Sequence, residues 1–278
     1  MGRPVGLFIT GTDTGVGKTL IAAGLAAWCR AKGLDVGVMK PIATGGIRRQ
    51  DQWISPDAMV LARAAGVDDP VSLINPVCFR EPLAPYVAAQ RAGQSIRWDS
   101  IRRASEQLQA RHRFLMIEGI GGLLVPLTRR HTVADLIRAF NLPVVIVARR
   151  GLGTLNHTLL TVREAQRQKL RMRGVLLNAA DPPTRDAGLR LAEQTNPHAL
   201  EQCLSYNKGT QTDLRNCLCP PSSIPLLGQT PYEASLMSGS VSDSRWRHQL
   251  VRWVERHCSP VLLEWLLSLG MPGQGTAT

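Results

Sequence analysis

The chain has 278 residues, 44% of them hydrophobic and 19% charged, which suits a large folded core and excludes a disordered protein. Its net charge of +12 would allow an anionic partner, but the arginines are spread along the chain rather than gathered in one run, so neither a nucleic-acid nor a membrane partner is expected. Six cysteines without framework spacing, no room for a signal peptide and no apolar stretch of bilayer length point to reduced thiols in the cytoplasm.

An apolar run from Val5 to Ile9 predicts the first strand, and an apolar-periodic segment from Leu20 to Cys29 predicts the first helix, closing at Gly33. Between them lies Gly11-Thr12-Asp13-Thr14-Gly15-Val16-Gly17-Lys18-Thr19. Strand, glycine-rich turn and helix is the context of a phosphate-binding loop. Gly11 sits one residue earlier than the strict spacing requires, with Thr12 at the expected position.

Asp35 to Met39 reads as a short strand ending at Lys40-Pro41, and a polar loop with Thr44-Gly45-Gly46 follows. Ser55-Pro56-Asp57 is a helix start. The three prolines between Asn75 and Pro85 indicate a shaped loop, and Ser100 to Ala110 a helix. Phe114 to Ile117 is a buried strand delivering Glu118-Gly119-Ile120-Gly121-Gly122.

Thr132 to Phe140, Thr154 to Leu170 and Thr184 to Glu193 have helical patterns; Pro143 to Ala148, Gly174 to Leu177 and Ile224 to Gly228 read as strands. Strands apolar on both faces, alternating with helices, imply an α/β fold with a mostly parallel central sheet covered on both sides. Leu200 to Ser223 breaks the alternation and reads as an irregular insert. The first domain is expected to run to about residue 240. An amphipathic helical tail from Ser244 to Leu269 follows, and Met271 to Thr278 should be disordered.

Ligands of parallel sheets gather at the carboxyl ends of strands, which selects Lys18, Lys40, Glu118, Asn156 and Asn178. Lys18 carries a point charge for terminal phosphates, and the Thr19 hydroxyl suits Mg²⁺. Glu118 ends its strand where a second Mg²⁺ carboxylate belongs, whereas Asp57 reads from position alone only as a helix cap. Lys40 could hold a phosphoryl oxygen or a substrate carboxylate. His157, just inside a helix start, is expected to pack beneath the preceding loop. Cys217-Leu-Cys219 has no second pair at metal-ligand spacing.

The phosphate loop joined to Lys40-Pro41-Ile42-Ala43-Thr44-Gly45, then Asp57-Ala58, Asn75-Pro76, Glu81-Pro82-Leu83-Ala84-Pro85, Glu118-Gly119-Ile120-Gly121-Gly122, Gly153-Thr154-Leu155-Asn156-His157, Asn178, Pro225-Leu226-Leu227-Gly228 and Pro231-Tyr232, resembles dethiobiotin synthetase over about residues 3 to 235. The resemblance implies a three-layer fold of the P-loop NTPase type and an ATP-dependent ring closure in biotin synthesis. In that reaction 7,8-diaminononanoate takes up CO₂ as a carbamate, ATP phosphorylates it, and the second amine closes the ureido ring with release of ADP and phosphate.

The family's roles, carried to this sequence, make Lys40, Lys18 and Thr14 catalytic. Asp13, Thr14, Gly15, Val16, Gly17, Lys18 and Thr19 would cradle the ATP phosphates, together with Gly121. Thr19, Asp57 and Glu118 would hold Mg²⁺. Asn178 and the turn containing Gly228, Thr230 and Pro231 would recognise adenine. Lys40 and Thr44 would contact the diamine, while Gly153, Thr154 and Asn156 would reach the substrate carboxylate across a homodimer interface. Tyr86 stands where histidine is common in relatives, and Arg149-Arg150 adds positive charge beside the expected carboxylate site. A partitioning-type ATPase switch binding nucleic acid is the alternative, but its extra loop lysine is missing from Thr12-Asp13-Thr14.

Overall fold

The computed structural model describes residues 5–49, 52–205, 223–237 and 242–270. Its centre is a six-stranded, wholly parallel sheet built from β1 (Gly6–Gly11), β2 (Val36–Met39), β7 (Phe114–Gly122), β8 (Val144–Arg149), β9 (Met172–Asn178) and β10 (Leu226–Thr230). Their order across the sheet is β10-β9-β8-β1-β7-β2. Two small pairs stand apart from it: β3 (Ile42–Ala43) with β6 (Val77–Cys78), and the hairpin of β4 (Ile47–Arg49) and β5 (Gln52–Ile54).

Alternate residues of a strand face opposite sides, and the buried side chains divide accordingly. Leu7, Ile9, Val38, Met116 and Val145 join a core beneath α1 (Lys18–Ala31) and α2 (Pro56–Ala65). Phe8, Leu115, Ile117, Val144 and Ile146 join a second core under α5 (Trp98–Arg111), α6 (Val133–Phe140), α7 (Thr154–Arg167) and α8 (Ala187–Leu204). The result is the three-layer α/β arrangement that the strand–helix alternation implies. Two short helices, α3 (Val71–Ile74) and α4 (Pro85–Arg91), complete the first half of the chain.

Local signals act where the sequence carries them. Ser55 caps α2 by accepting from the Ala58 N–H at 3.3 Å, with Pro56 in its first turn. Asp135 accepts from the Thr132 N–H at 2.7 Å, closing a capping box at the start of α6.

Several boundaries differ from expectation. The proline-bearing segment Asn75 to Pro85 contains β6, whose partner is a strand of only two residues, too short to leave a period. The strand expected to stop at Ile117 continues through Glu118 to Gly122, because β1 keeps pairing with it across a register shift between Ile9 and Gly11. The expected insert begins later than residue 200: α8 runs to Leu204, with Pro197 inside it and Leu200 and Leu204 fully buried. Residues 206–222, including Cys217 and Cys219, lie outside the described residues, as does the expected disordered end 271–278. Cys29, Cys78 and Cys258 are free thiols.

After the short α9 (Ala234–Met237), the tail forms two helices rather than one. These are α10 (Asp243–His257) and α11 (Pro260–Gly270), divided where Pro260 can start a helix but not continue one. Trp246, Leu250, Trp253 and Val254 of α10 and Leu262 and Leu266 of α11 belong to the same buried cluster as α1. Among the described residues no helix is long and apolar enough to cross a membrane.

Candidate active site

At the carboxyl end of β1 the loop backbone turns through left-handed conformations at Gly15 (φ 74°) and Gly17 (φ 91°), the second immediately before α1. A Cβ at Gly17 would also run into the Asn178 amide. That amide braces the loop, donating to the Val16 carbonyl at 3.0 Å and accepting from Thr230 Oγ1 at 2.7 Å. The early position of Gly11 has a steric cause. A Cβ there would stand 3.0 Å from Lys18 Nζ and 2.9 Å from Val16 Cγ2, so glycine leaves room for the ammonium group. Lys18 curls back to donate to the Asp13 carbonyl at 2.7 Å.

Lys40 leaves the end of β2 with its backbone fixed on both sides. Its N–H donates to Ile74 O at 2.7 Å, and its carbonyl accepts from Asn75 Nδ2 at 2.7 Å. The buried ammonium meets Glu118 Oε1 at 2.6 Å, Asp57 Oδ2 at 2.7 Å and the Gly119 carbonyl at 3.1 Å, so its three N–H donors have three acceptors. Thr19 Oγ1 also donates to Glu118 Oε1, at 2.9 Å. The other oxygen, Glu118 Oε2, is buried and has no hydrogen-bond partner among the described residues, and the residue is only 1% exposed. Leaving a buried acceptor unsatisfied costs about 1–3 kcal/mol, which marks this oxygen as waiting for a cation or donor.

Two lysines and two carboxylates thus share one buried corner, and burial opposes every charge in it. Burial lowers Lys18 to about 8, helped by the neighbouring positive charge of Lys40. Burial also pulls on Lys40, but the adjoining Glu118 and Asp57 carboxylates overcome it and hold the ammonium protonated. Burial raises the Glu118 carboxyl, with Lys40 offsetting only part of the effect. Asp57 feels burial too, yet the Lys40 ammonium brings it below the usual carboxylate range.

Among the described residues no group of three or more His, Cys, Asp or Glu could hold a metal ion. Asp57, Glu118 and the Thr19 hydroxyl instead form a sparse set of hard oxygens. With one acceptor unsatisfied, that set fits Mg²⁺, which keeps several waters and takes its remaining ligands from substrate phosphates.

These groups open into a cleft of about 500 Å³, the size of a cofactor site. Of the residues expected at a ligand, Thr14, Gly15, Gly17, Lys18 and Thr19 line it at the phosphate loop, and Lys40, Thr44, Asp57, Glu118, Gly121 and Asn178 line it elsewhere. Asp13 lies outside, its carboxylate accepting from the Thr14 N–H at 2.7 Å, and Val16 is buried beneath the loop.

The expected turn at Gly228 is strand through Thr230. Gly228 is pressed against the His257 carbonyl and bridged to Cys258, away from the cleft. Thr230 reaches the site only through Asn178, and neither it nor Pro231 lines the cleft, where Tyr232 and Glu233 stand instead. Gly153, Thr154 and Asn156 begin α7 outside the cleft. Gly153 and Asn156 are exposed, while the Thr154 hydroxyl is buried 3.2 Å from that of Thr158. His157 is exposed and not packed beneath the loop, because the first turn of α7 directs it to solvent.

Sequence reasoning missed Val60 and Arg63, which follow Asp57 at helical spacing on the cleft face of α2, Leu236 of α9, and Trp246, which comes from the tail. The spacing of Asp57, Val60 and Arg63 was a usable signal; nothing local marked Trp246. The arginine pair divides. Arg149 reaches toward the phosphate loop, 3.5 Å from Thr14 O, and Arg150 donates to Glu193 O at 3.3 Å.

A family model described as an AAA domain matches residues 5–240. The chain is 35% identical to the ATP-dependent dethiobiotin synthetase of Thermodesulfovibrio yellowstonii over 246 residues, 86% of this chain and 93% of that protein. It is 39% identical to the enzyme of the same name from Bacillus licheniformis, over 81% of this chain and 85% of the other. The namesake from Anaeromyxobacter dehalogenans is 47% identical over 177 residues, 64% of this chain and 78% of its own.

Proposed function

The chain belongs to the ATP-dependent dethiobiotin synthetase family and makes dethiobiotin with ATP in biotin biosynthesis; from that premise we propose how its own residues divide the work. The observation that carries the reading is the buried Lys40 ammonium, 2.6 Å from Glu118 and 2.7 Å from Asp57, in the same cleft as Lys18 and the phosphate loop. Phosphoryl transfer asks a protein chiefly for position and for charge opposite the migrating group. Two lysines, Lys18 at the start of α1 and Lys40 just beyond β2, supply both.

In this reading the backbone N–H groups from Asp13 to Thr19 and the start of α1 bind the ATP phosphates. Lys18 exchanges its bond to the Asp13 carbonyl for a phosphate oxygen. Thr19, Asp57 and Glu118 would hold Mg²⁺, which supplies charge neutralisation at the phosphoryl group. Lys40 holds the carbamate formed when one amine of 7,8-diaminononanoate takes up CO₂. It then stabilises the charge that develops as the carbamate oxygen takes the terminal phosphoryl group of ATP and the bond from that group to ADP breaks. The second amine attacks the carbamoyl carbon, the C–O bond to phosphate breaks, and a proton leaves the nitrogen as the ureido ring closes.

Thr44 lies at the diamine end and Gly121 allows close backbone approach. Asn178 serves the adenine end while bracing the loop. Thr230 acts through Asn178, and Pro231 leads the chain into the wall made by Tyr232 and Glu233. Thr14 is the loop residue beside the transferring phosphate. Gly153, Thr154 and Asn156 are assigned to the cleft of a second subunit in a homodimer, and the enzyme to the cytoplasm. The partitioning-type switch has less support, since the relatives named above are synthetases.

The test supplies ATP, bicarbonate and the diamine together and then omits each in turn. ADP release should depend on the diamine and yield a ureido product by mass spectrometry. ADP release of equal rate without the diamine would overturn the reading.

A further inference from the structure

Helix α10 carries Trp246, Leu250, Trp253 and Val254 at the spacing of one apolar face. That face sits on α1, where Gly24 admits it: a Cβ there would stand 2.9 Å from Val254 and 3.4 Å from Trp253. Packing against α1 accounts for Leu250, Trp253 and Val254. The first turn of α10 does something else, because Trp246 lines the same cleft as Lys18 and Thr19.

Arg63 connects this turn to α2. It lies six residues beyond Asp57, about 9 Å of helix rise, and lines the cleft at the opposite end of the Asp57, Val60, Arg63 face. Its guanidinium stands 4.5 Å from the centre of the Trp246 ring, and its Nε donates to Asp243 Oδ1 at 2.6 Å. Arg247 donates to the Arg63 carbonyl at 3.2 Å. Trp246 is in turn fixed by its own Nε1 donating to Leu236 O at 3.1 Å. Two residues of α10 therefore orient one side chain of α2, and a third holds its backbone.

A guanidinium laid on an indole is a flat cation whose rotamer is already chosen, and its planar form suits stacking as well as hydrogen bonding. Leu20, Val60 and Leu236 add apolar surface to the same cleft. The phosphate end already has Lys18, Lys40 and the loop amides. A flat cation among apolar walls, one helix face away, is what a nucleobase and its sugar would meet. We infer that Arg63, oriented by Asp243 and Trp246, contacts the nucleoside of the bound nucleotide, so that helix α10 completes the nucleotide half of the site. The inference rests on the reading that the loop binds the phosphates of ATP.

The experiment compares ATP with inorganic tripolyphosphate, which has the phosphates and no nucleoside, on the full chain by calorimetry and competition. Arg63→Met, which keeps an unbranched chain over the indole, should weaken ATP about tenfold and leave tripolyphosphate unchanged. Asp243→Asn, at an exposed position, should shift the same ratio in the same direction by about two- to threefold, since it only orients Arg63. An unchanged ratio of ATP to tripolyphosphate affinity in both variants would overturn the inference, even if the melting temperature fell. Tripolyphosphate that failed to displace ATP from the unaltered chain would overturn the phosphate-loop reading and this inference with it.

Discussion

Two regions lean on the same helix, α1, and are held there by different forces. At its first turn, Lys18 and Thr19 belong to a corner of buried charge in which each group depends on another for compensation. Two turns on, at Gly24, α10 is held by apolar contact with Trp253 and Val254. Charge arranged this way is intolerant: removing one partner leaves another buried and unpaired. Apolar burial is graded, and its loss is proportional to the area and cavity created. The cleft therefore trades stability for a poised site, whereas the C-terminal helices supply stability and carry one wall of that site with them.

Lys40→Met is the sharpest way to break the comparison. It should lower kcat for diamine-dependent ADP release by about 10³, the scale of losing one electrostatic contact to a transferring group, and leave the Glu118 and Asp57 carboxylates without their shared cation. A rate within tenfold of the unaltered enzyme would remove Lys40 from the chemistry.

Trp253→Ala should act on the other region alone. Large aromatic truncations in a core cost about 3–5 kcal/mol. The buried Trp253 Nε1 has no partner among the described residues, so the low end of that range is expected in urea unfolding. Tripolyphosphate affinity should survive wherever the variant is folded. A parallel loss of phosphate binding would mean that α10 holds the loop as well as the wall.

The smallest effect is a pH dependence belonging to the charged corner. Lys18 is brought down to about 8 in the free enzyme by burial and by Lys40. Bound phosphates favour its charged form, so binding takes up a proton once the pH exceeds about 8. ATP affinity should then fall as pH rises through that value, by at most about tenfold per unit. Titration calorimetry in buffers of different ionisation enthalpy reads the uptake directly. Lys18→Met should abolish it, whereas Arg63→Met should leave it intact.

Much of this was written in short-range signals. Gly15 and Gly17 announce the left-handed turns before α1, the wholly apolar strands announce a sheet covered on both faces, and Ser55-Pro56 announces the helix that carries Asp57. The hairpin of β4 and β5 and the two-residue strands left no trace, because elements so short have no period to detect. Gly228 misled for a related reason. Its glycine reads as a turn signal, but here it permits the backbone at His257 and Cys258 to lie against a strand.

The sequence by itself determined the phosphate loop that carries Lys18, the parallel sheet and the strand ends that carry Lys40 and Asn178. Those features follow from backbone conformation and side-chain period, which are properties of neighbouring residues. Only the tertiary structure decided that one oxygen of Glu118 would be left unsatisfied and that Arg63 would be held by residues 180 positions away. Those pairings depend on how separate helices pack onto the sheet, and no local preference encodes the contact between them.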